Sequence, residues 1–288
     1  MKITTQYYIL KAGPLGRKLR KVKYLRVFFS TFLRMYLGLI NLLRYGTTDM
    51  FTGFNIETIT TCNRRCSYCP NSIFERSLPK NEILMDEEVF KKIIDELAEM
   101  KFSGRIRPYF FGEPLLDKRL PQLLTYARKR LPKAKIIITS NGDLLTIELY
   151  EKLVAAGING FLITQHGQKM SKNMHLLFKY LEKHPNKEVF VAYRPPIENE
   201  PLSSRGGTTQ PKNPHHKANC SSPANPVVIT AKGDVVLCCN DYHSSVVFGN
   251  VKNEALVDIW KSKRYKLIRH QLRRHAYKLP ICRKCVGA

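Results

Sequence analysis

The chain has 288 residues, a hydrophobic fraction of 43%, and 48 Lys plus Arg against 23 Asp plus Glu, a formal balance of +25. The length suits one large domain with a small appendage, and the apolar content is ordinary for a globular protein. The charge excludes a near-neutral surface and predicts attraction to something anionic: phospholipid, nucleic acid, or a phosphorylated or nucleotide-linked small molecule.

The first residues, Met1-Lys-Ile-Thr-Thr-Gln-Tyr, lack the regions of a secretory signal. An unexported, cytoplasmic chain is expected, with its eight cysteines serving as metal ligands in a reducing compartment. Gly13-Pro-Leu-Gly16 is a turn, followed by the basic run Arg17–Lys23. From Lys23 to Arg44 the pattern is helical, with Lys23, Arg26, Ser30, Arg34, Asn41 and Arg44 on one narrow face and a wide apolar face opposite. The arginines interrupt any run long enough to span a bilayer. Two readings remain: a helix lying on the inner, anionic face of a membrane, or one burying its apolar face on the protein's own core. The lack of any acidic residue before Asp49 favours the membrane. Residues 1–49 form this basic amphipathic region, ahead of a domain over 50–219.

From residue 50 to about 195 strands alternate with helices. Strands are expected at 54–60, 104–111, 134–140, 159–165 and 188–193, and helices at 87–100, 118–131, 146–156 and 171–184. Such repetition implies a parallel sheet with its chemistry at the carboxyl ends of the strands. Asp86 is the expected N-cap of the first helix, and Ala156-Gly157 stops the third.

The first strand runs into Cys62-Asn-Arg-Arg-Cys66-Ser-Tyr-Cys69. Three thiols this close do not pair sensibly as disulfides, and no fourth zinc ligand lies in the next turn. They suit three irons of a cubane cluster, leaving the fourth open to a small molecule. The second strand ends in Tyr109-Phe-Phe-Gly-Glu-Pro-Leu-Leu-Asp117, the third in Thr139-Ser-Asn-Gly142, the fourth in Gln165-His166-Gly167 and the fifth in Tyr193-Arg194-Pro.

The CxxxCxxC loop, with aromatic Tyr68 before its last cysteine, resembles that of the radical S-adenosylmethionine (radical SAM) enzymes. The second and third strand ends resemble that family's GGEP and Thr-Asn-Gly segments, with Phe111 replacing the first glycine. The resemblance implies a partial (β/α)6 barrel of parallel strands and a SAM-binding [4Fe–4S] cluster on Cys62, Cys66 and Cys69. It also implies that Gly112, Glu113 and Pro114 approach the methionine amino group and that Ser140 and Asn141 meet the ribose and carboxylate. His166 is a candidate proton acceptor or substrate partner, and Arg194 a candidate for the cofactor carboxylate or a substrate phosphate. An ordinary loop histidine and a surface arginine are the alternatives.

Residues 195–219 read as a polar connector, rich in turn formers, of the kind that makes a lid or binding loop. His215 and His216 within it are weaker metal ligands than the cysteines that follow. Val227 to Cys239 reads as a hairpin turning at Lys232-Gly-Asp. With Gly249-Asn-Val, Asp258-Ile-Trp260 and Cys282-Arg-Lys-Cys285, residues 220–288 resemble the SPASM or shorter twitch extension of radical SAM enzymes. That implies an auxiliary [4Fe–4S] cluster on Cys220, Cys238, Cys282 and Cys285; a zinc ribbon is the competing reading. Cys239 is left over, either a small buried residue or a hydrogen-atom donor. Strand alternation would aim it away from the cavity.

The resemblance further implies a 5′-deoxyadenosyl radical that removes a hydrogen atom from an unactivated carbon, with the auxiliary cluster accepting an electron. Oxidation of a sugar, polyol or lipid-linked anionic substrate leads. Epimerisation with Cys239 as donor, modification of a peptide or an RNA, and a non-enzymatic electron carrier follow. An external electron donor such as flavodoxin or ferredoxin is expected, and nucleic acid stays open as a partner.

Overall fold

The computed structural model describes residues 35, 36, 39, 42, 43, 48–196, 202–211, 220 and 226–287. Most of the expected N-terminal helix, and His215 and His216, lie outside them. The chain separates into two compact units, Lys2–Phe51 and Thr52–Ala288.

In the larger unit, β1 (Gly53–Ile56), β2 (Arg105–Arg107), β3 (Lys135–Ser140), β4 (Gly160–Thr164) and β5 (Phe190–Arg194) alternate with α1 (Glu87–Glu99), α2 (Leu120–Arg130), α3 (Ile147–Ala155) and α4 (Lys172–Lys183). Neighbouring strands of this series pair in parallel. Local chemistry explains the boundaries. The Asp86 carboxylate accepts from the backbone N–H groups of Glu88 and Val89 and opens α1. Val89, Phe90, Ile93, Ile94 and Leu97 then form its buried stripe. Gly157 ends α3 at φ +81°, a conformation costly for any residue with a Cβ. β2 is shorter than expected because Pro108 has no N–H for the ladder; one bond beyond it, Tyr109 N–H to the Ile56 carbonyl, continues the register.

Among the described residues five strands precede the connector, as expected. A sixth parallel strand, β6 (Val227–Ile229), belongs to the C-terminal region and pairs with the free side of β1. β7 (Asp234–Val236) and β8 (Val247–Asn250) add antiparallel, giving the order β5-β4-β3-β2-β1-β6-β7-β8. The β6–β7 hairpin turns at Gly233 as the sequence predicts. α5 (Leu256–Lys261), α6 (Lys263–Arg273) and α7 (Pro280–Val286) follow. Arg269 is fully buried in this region, its guanidinium 3.6 Å from the Trp260 ring and hydrogen-bonded to the Trp260 carbonyl. The cation–π contact helps to hold its charge.

Glu57, just beyond β1, is buried and holds the sheet together where its two halves meet. It accepts from Arg76 (Nη1–Oε1 2.9 Å), from the backbone of Phe111 after β2, and from that of Ala231 after β6. Replacing Arg76 by Met leaves this carboxylate buried without its cation. The expected loss is about 3 kcal/mol, measurable by denaturant unfolding; an unchanged midpoint would show that the pair contributes nothing.

Candidate active site

The carboxyl ends of β1 to β5 meet at one cavity of about 220 Å³. Cys62, Cys66 and Cys69 lie on its wall with Tyr68, Gly112, Glu113, Ser140, Asn141, His166 and Arg194. Pro114 stands behind the wall and begins a 3-10 turn over 114–116 that Glu113 caps.

The cysteine loop is held at several points. The Asn141 amide donates to Asn63 Oδ1 at 2.8 Å, and Arg64 forms a bidentate pair with Asp143, both on the segment after β3. Asn71 donates to the Phe111 carbonyl after β2. Glu113 binds the segments after β2 and β3 together, accepting from Ser140 Oγ at 2.7 Å and from the backbones of Asn141 and Leu115. Gly112 is required where it is: a Cβ there would stand 1.9 Å from the Ile59 carbonyl oxygen.

Burial sets the electrostatics. It pushes the Cys62 thiol up to about 12 and raises Cys66 and Cys69. Metal-free, these are protonated thiols rather than nucleophiles, and ligation must release their protons. Burial raises Glu113 to about 7 against the lowering effect of its three donors. Burial, and then the Arg64, Arg205 and Arg194 guanidiniums, hold His166 down at about 4, so its imidazole is neutral. His166 Nδ1 is hydrogen-bonded to the Tyr68 hydroxyl, which also bonds the Cys66 thiol.

A second thiol group lies in the C-terminal region. Cys282 and Cys285 sit one turn apart on α7, and both are buried. Cys238 packs with Cys282 in a cluster with Leu237, Val246, Ile268 and Leu272. Cys220 lies within electrostatic range of Cys282, its backbone N–H donating to the Tyr277 hydroxyl. The structure therefore brings together the four cysteines singled out in the sequence. Strand alternation is the one argument against a donor role for Cys239. β7 ends at Val236 and Cys238 begins a turn, so strand alternation does not govern Cys239. It is half-buried, within electrostatic range of Tyr109 and Arg205 on the cavity wall.

Sequence reasoning missed Arg205. It belongs to the connector, half-buried, and lines the cavity with Leu202. Its charged and polar neighbours Tyr109, Cys239, Cys69 and Tyr68 put it between the two cysteine groups. The one available signal was an arginine followed by two glycines inside a polar connector.

None of the eight cysteines forms a disulfide. Among the described residues no three His, Cys, Asp or Glu side chains close on one point as they would around a single ion. The two thiol groups suit clusters, in which each iron takes its own sulfur. Three thiols on a small cavity and four beside it define an iron–sulfur enzyme. Comparison with known proteins makes the class specific. The radical SAM superfamily matches residues 56–169, and the SPASM iron–sulfur cluster-binding domain matches residues 220–286. The S-adenosyl-L-methionine-dependent 2-deoxy-scyllo-inosamine dehydrogenase of Niallia circulans is 32% identical over 239 residues, 82% of this chain and 93% of that protein. The crystal structure of BtrN in complex with AdoMet and 2-DOIA has a TM-score of 0.71 at 31% identity, covering 82% of this chain and 93% of that one. BtrN in an open conformation gives 0.63 at 29%, covering 82% and 92%. The chain belongs to the radical SAM superfamily and is a radical SAM oxidoreductase with a SPASM-type extension. Its cofactors are a SAM-binding [4Fe–4S] cluster, an auxiliary [4Fe–4S] cluster and S-adenosylmethionine.

Proposed function

We propose that this enzyme oxidises a secondary alcohol of a sugar- or cyclitol-like polyol carrying an anionic group to the ketone. The observation that carries the reading is the cavity itself, which a neutral histidine and Arg205 line together with the three thiols of the loop. The Niallia relative, whose name gives an aminocyclitol as its substrate, supports the polyol class. In this reading Cys62, Cys66 and Cys69 hold the SAM-binding cluster, and Cys220, Cys238, Cys282 and Cys285 the auxiliary one. Together the bound cofactors supply a carbon-centred radical that takes a hydrogen atom and an acceptor for the remaining electron.

The hydroxyl proton falls to the chain. A Cys66 thiolate can only accept, so the Tyr68 hydroxyl donates to it and in turn accepts from His166 Nδ1–H. That assignment leaves Nε2 of His166 with its lone pair, and it takes the proton. Arg205 and Arg194 bind the anionic group, and Tyr109 closes the cavity beside Arg205. Glu113 faces the amino group of S-adenosylmethionine. An external donor of the flavodoxin or ferredoxin kind delivers electrons in the cytoplasm.

The test is anaerobic turnover of phosphorylated and unphosphorylated cyclitols deuterated at the carbinol carbon. Deuterium should appear in 5′-deoxyadenosine, with a ketone as product. A product of the alcohol oxidation level carrying solvent hydrogen would instead favour the epimerase. The place of Cys239 beside Arg205 keeps that reading alive. In it, a Cys239→Ala variant would lose product while still forming 5′-deoxyadenosine.

Glu113 gives a pH dependence. Its carboxyl holds a proton until about pH 7, and an ammonium partner favours the ionised form. Affinity for S-adenosylmethionine is therefore lost as the pH falls through about 7, by up to about tenfold per unit below it. Equilibrium dialysis of the reconstituted protein should show this slope, and Glu113→Gln should flatten it; equal slopes would remove Glu113 from the ammonium site.

The unit Lys2–Phe51 supports a membrane-surface placement and hence a lipid-linked form of the substrate. Its described side chains Met35, Tyr36, Leu39, Leu42 and Leu43 are exposed, in a stretch without an acid before Asp49. Among the described residues no helix is long and apolar enough to cross a membrane. An interfacial helix needs no such length. The protein should float with anionic liposomes, less so as salt rises, and lose that binding on deletion of residues 1–45. Equal flotation of the truncated protein would move the binding elsewhere.

A further inference from the structure

Asn240 directs three of its polar groups at three different functional neighbours. It is 5% exposed and lies in the turn after β7, between Cys239 and Asp241. Its backbone N–H donates to Cys238 Sγ at 3.4 Å. Its side-chain Nδ2 donates to Cys285 Sγ, also at 3.4 Å. Its Oδ1 accepts from Arg205 Nη1 at 3.2 Å. One residue therefore touches two of the four clustered sulfurs and the guanidinium on the cavity wall.

The partner is held in place just as firmly. Arg205 has φ +49°, a conformation that an arginine adopts only when its surroundings impose it. The next two residues, Gly206 and Gly207, also have positive φ. A Cβ on Gly206 would meet Ile281 Cγ1 at 2.6 Å, and one on Gly207 would meet Lys284 Cδ at 2.4 Å. Ser204 Oγ donates to the Lys284 carbonyl at 3.2 Å. The turn that presents Arg205 is thus seated on α7, the helix that carries Cys282 and Cys285.

Hydrogen bonds to ligating sulfurs are among the determinants of an iron–sulfur potential, because they withdraw charge and stabilise the reduced form. We propose that Asn240 is a positioning residue that couples the auxiliary cluster to the cavity: its two N–H donors raise the cluster's reduction potential, and its Oδ1 holds Arg205 facing the substrate. The proposal rests on the reading that Cys220, Cys238, Cys282 and Cys285 ligate that cluster. It explains how an electron acceptor is tuned by the same residue that orients the anion-binding group.

The experiment uses the full chain carrying Cys62→Ala, Cys66→Ala and Cys69→Ala, so that any reconstituted cluster is the auxiliary one. Iron content and the midpoint potential, followed by electron paramagnetic resonance, are compared before and after Asn240→Asp and Asn240→Ala. Asp keeps an acceptor for Arg205 but has no amide donor; Ala has neither. Both variants should retain iron and shift to a more negative potential. Retained iron with an unchanged potential overturns the proposal and leaves Asn240 a structural turn residue. Loss of iron from both variants also overturns it, because Asn240 would then serve cluster assembly. If the parent triple variant itself holds no iron, or keeps its iron when Cys282 and Cys285 are replaced by Ala, the ligand assignment fails first and the proposal with it.

Discussion

Replacing Cys62, Cys66 and Cys69 together by alanine is expected to abolish S-adenosylmethionine cleavage outright while leaving about four of about eight irons. The three thiols are the soft donors on the wall of the cavity, and nothing else there can replace them. Cys238 and Cys282 sit in a packed cluster of the C-terminal region, with Cys285 on the same helix as Cys282 and Cys220 within electrostatic range of it, away from the loop. The loop's own anchors, Asn63 to Asn141 and Arg64 to Asp143, do not involve sulfur, so the fold should survive. Iron analysis, the circular dichroism spectrum and 5′-deoxyadenosine formation read the three expectations separately. Continued cleavage, or retention of all the iron, would dismiss the loop as the cluster site.

The elements that sequence reasoning recovered are those whose cause is local. Asp86 caps its helix through two bonds within the next three residues, to Glu88 and Val89, and Gly157 stops one through its own φ. The motifs after β1 and β3 were legible because each follows an apolar strand, that after β2 because of its own Gly112-Glu-Pro114, and the parallel sheet then brings those ends together. What was missed depends on contacts distant in sequence. Arg205 reaches the cavity only because Gly206 and Gly207 let its turn pack on α7, about 75 residues later in a sequence whose connector reads as a bare polar loop. β6 joins β1 rather than following β5, a pairing that the order of strands along the chain does not reveal. Glu57 reads as one more position of a strand, yet it is where three backbone segments and Arg76 converge. The period-two argument against Cys239 as a donor does not apply, because Cys239 lies past the last strand residue.

His166→Gln should lower ketone formation by about 10²–10⁴-fold while labelled hydrogen still reaches 5′-deoxyadenosine. Removal of a hydrogen atom from the carbinol carbon leaves a substrate radical whose hydroxyl is far more acidic than that of the alcohol. As the electron leaves for an acceptor, the hydroxyl becomes that of a protonated ketone, a strong acid. Even an imidazole held down near 4 therefore takes its proton, and that imidazole is neutral throughout the neutral range beforehand. The pH profile contributed by this group should accordingly be flat from about pH 6 to 8, because protonation sets in only as the pH falls towards 4. Glutamine preserves the polarity of the site but cannot carry the proton, so oxidation stalls after the first hydrogen is taken. Tyr68→Phe should cost less, because it frees Nδ1 and lets the ring turn without removing the base. A glutamine variant with the parent rate of ketone formation would take His166 out of the reaction and leave the proton to solvent.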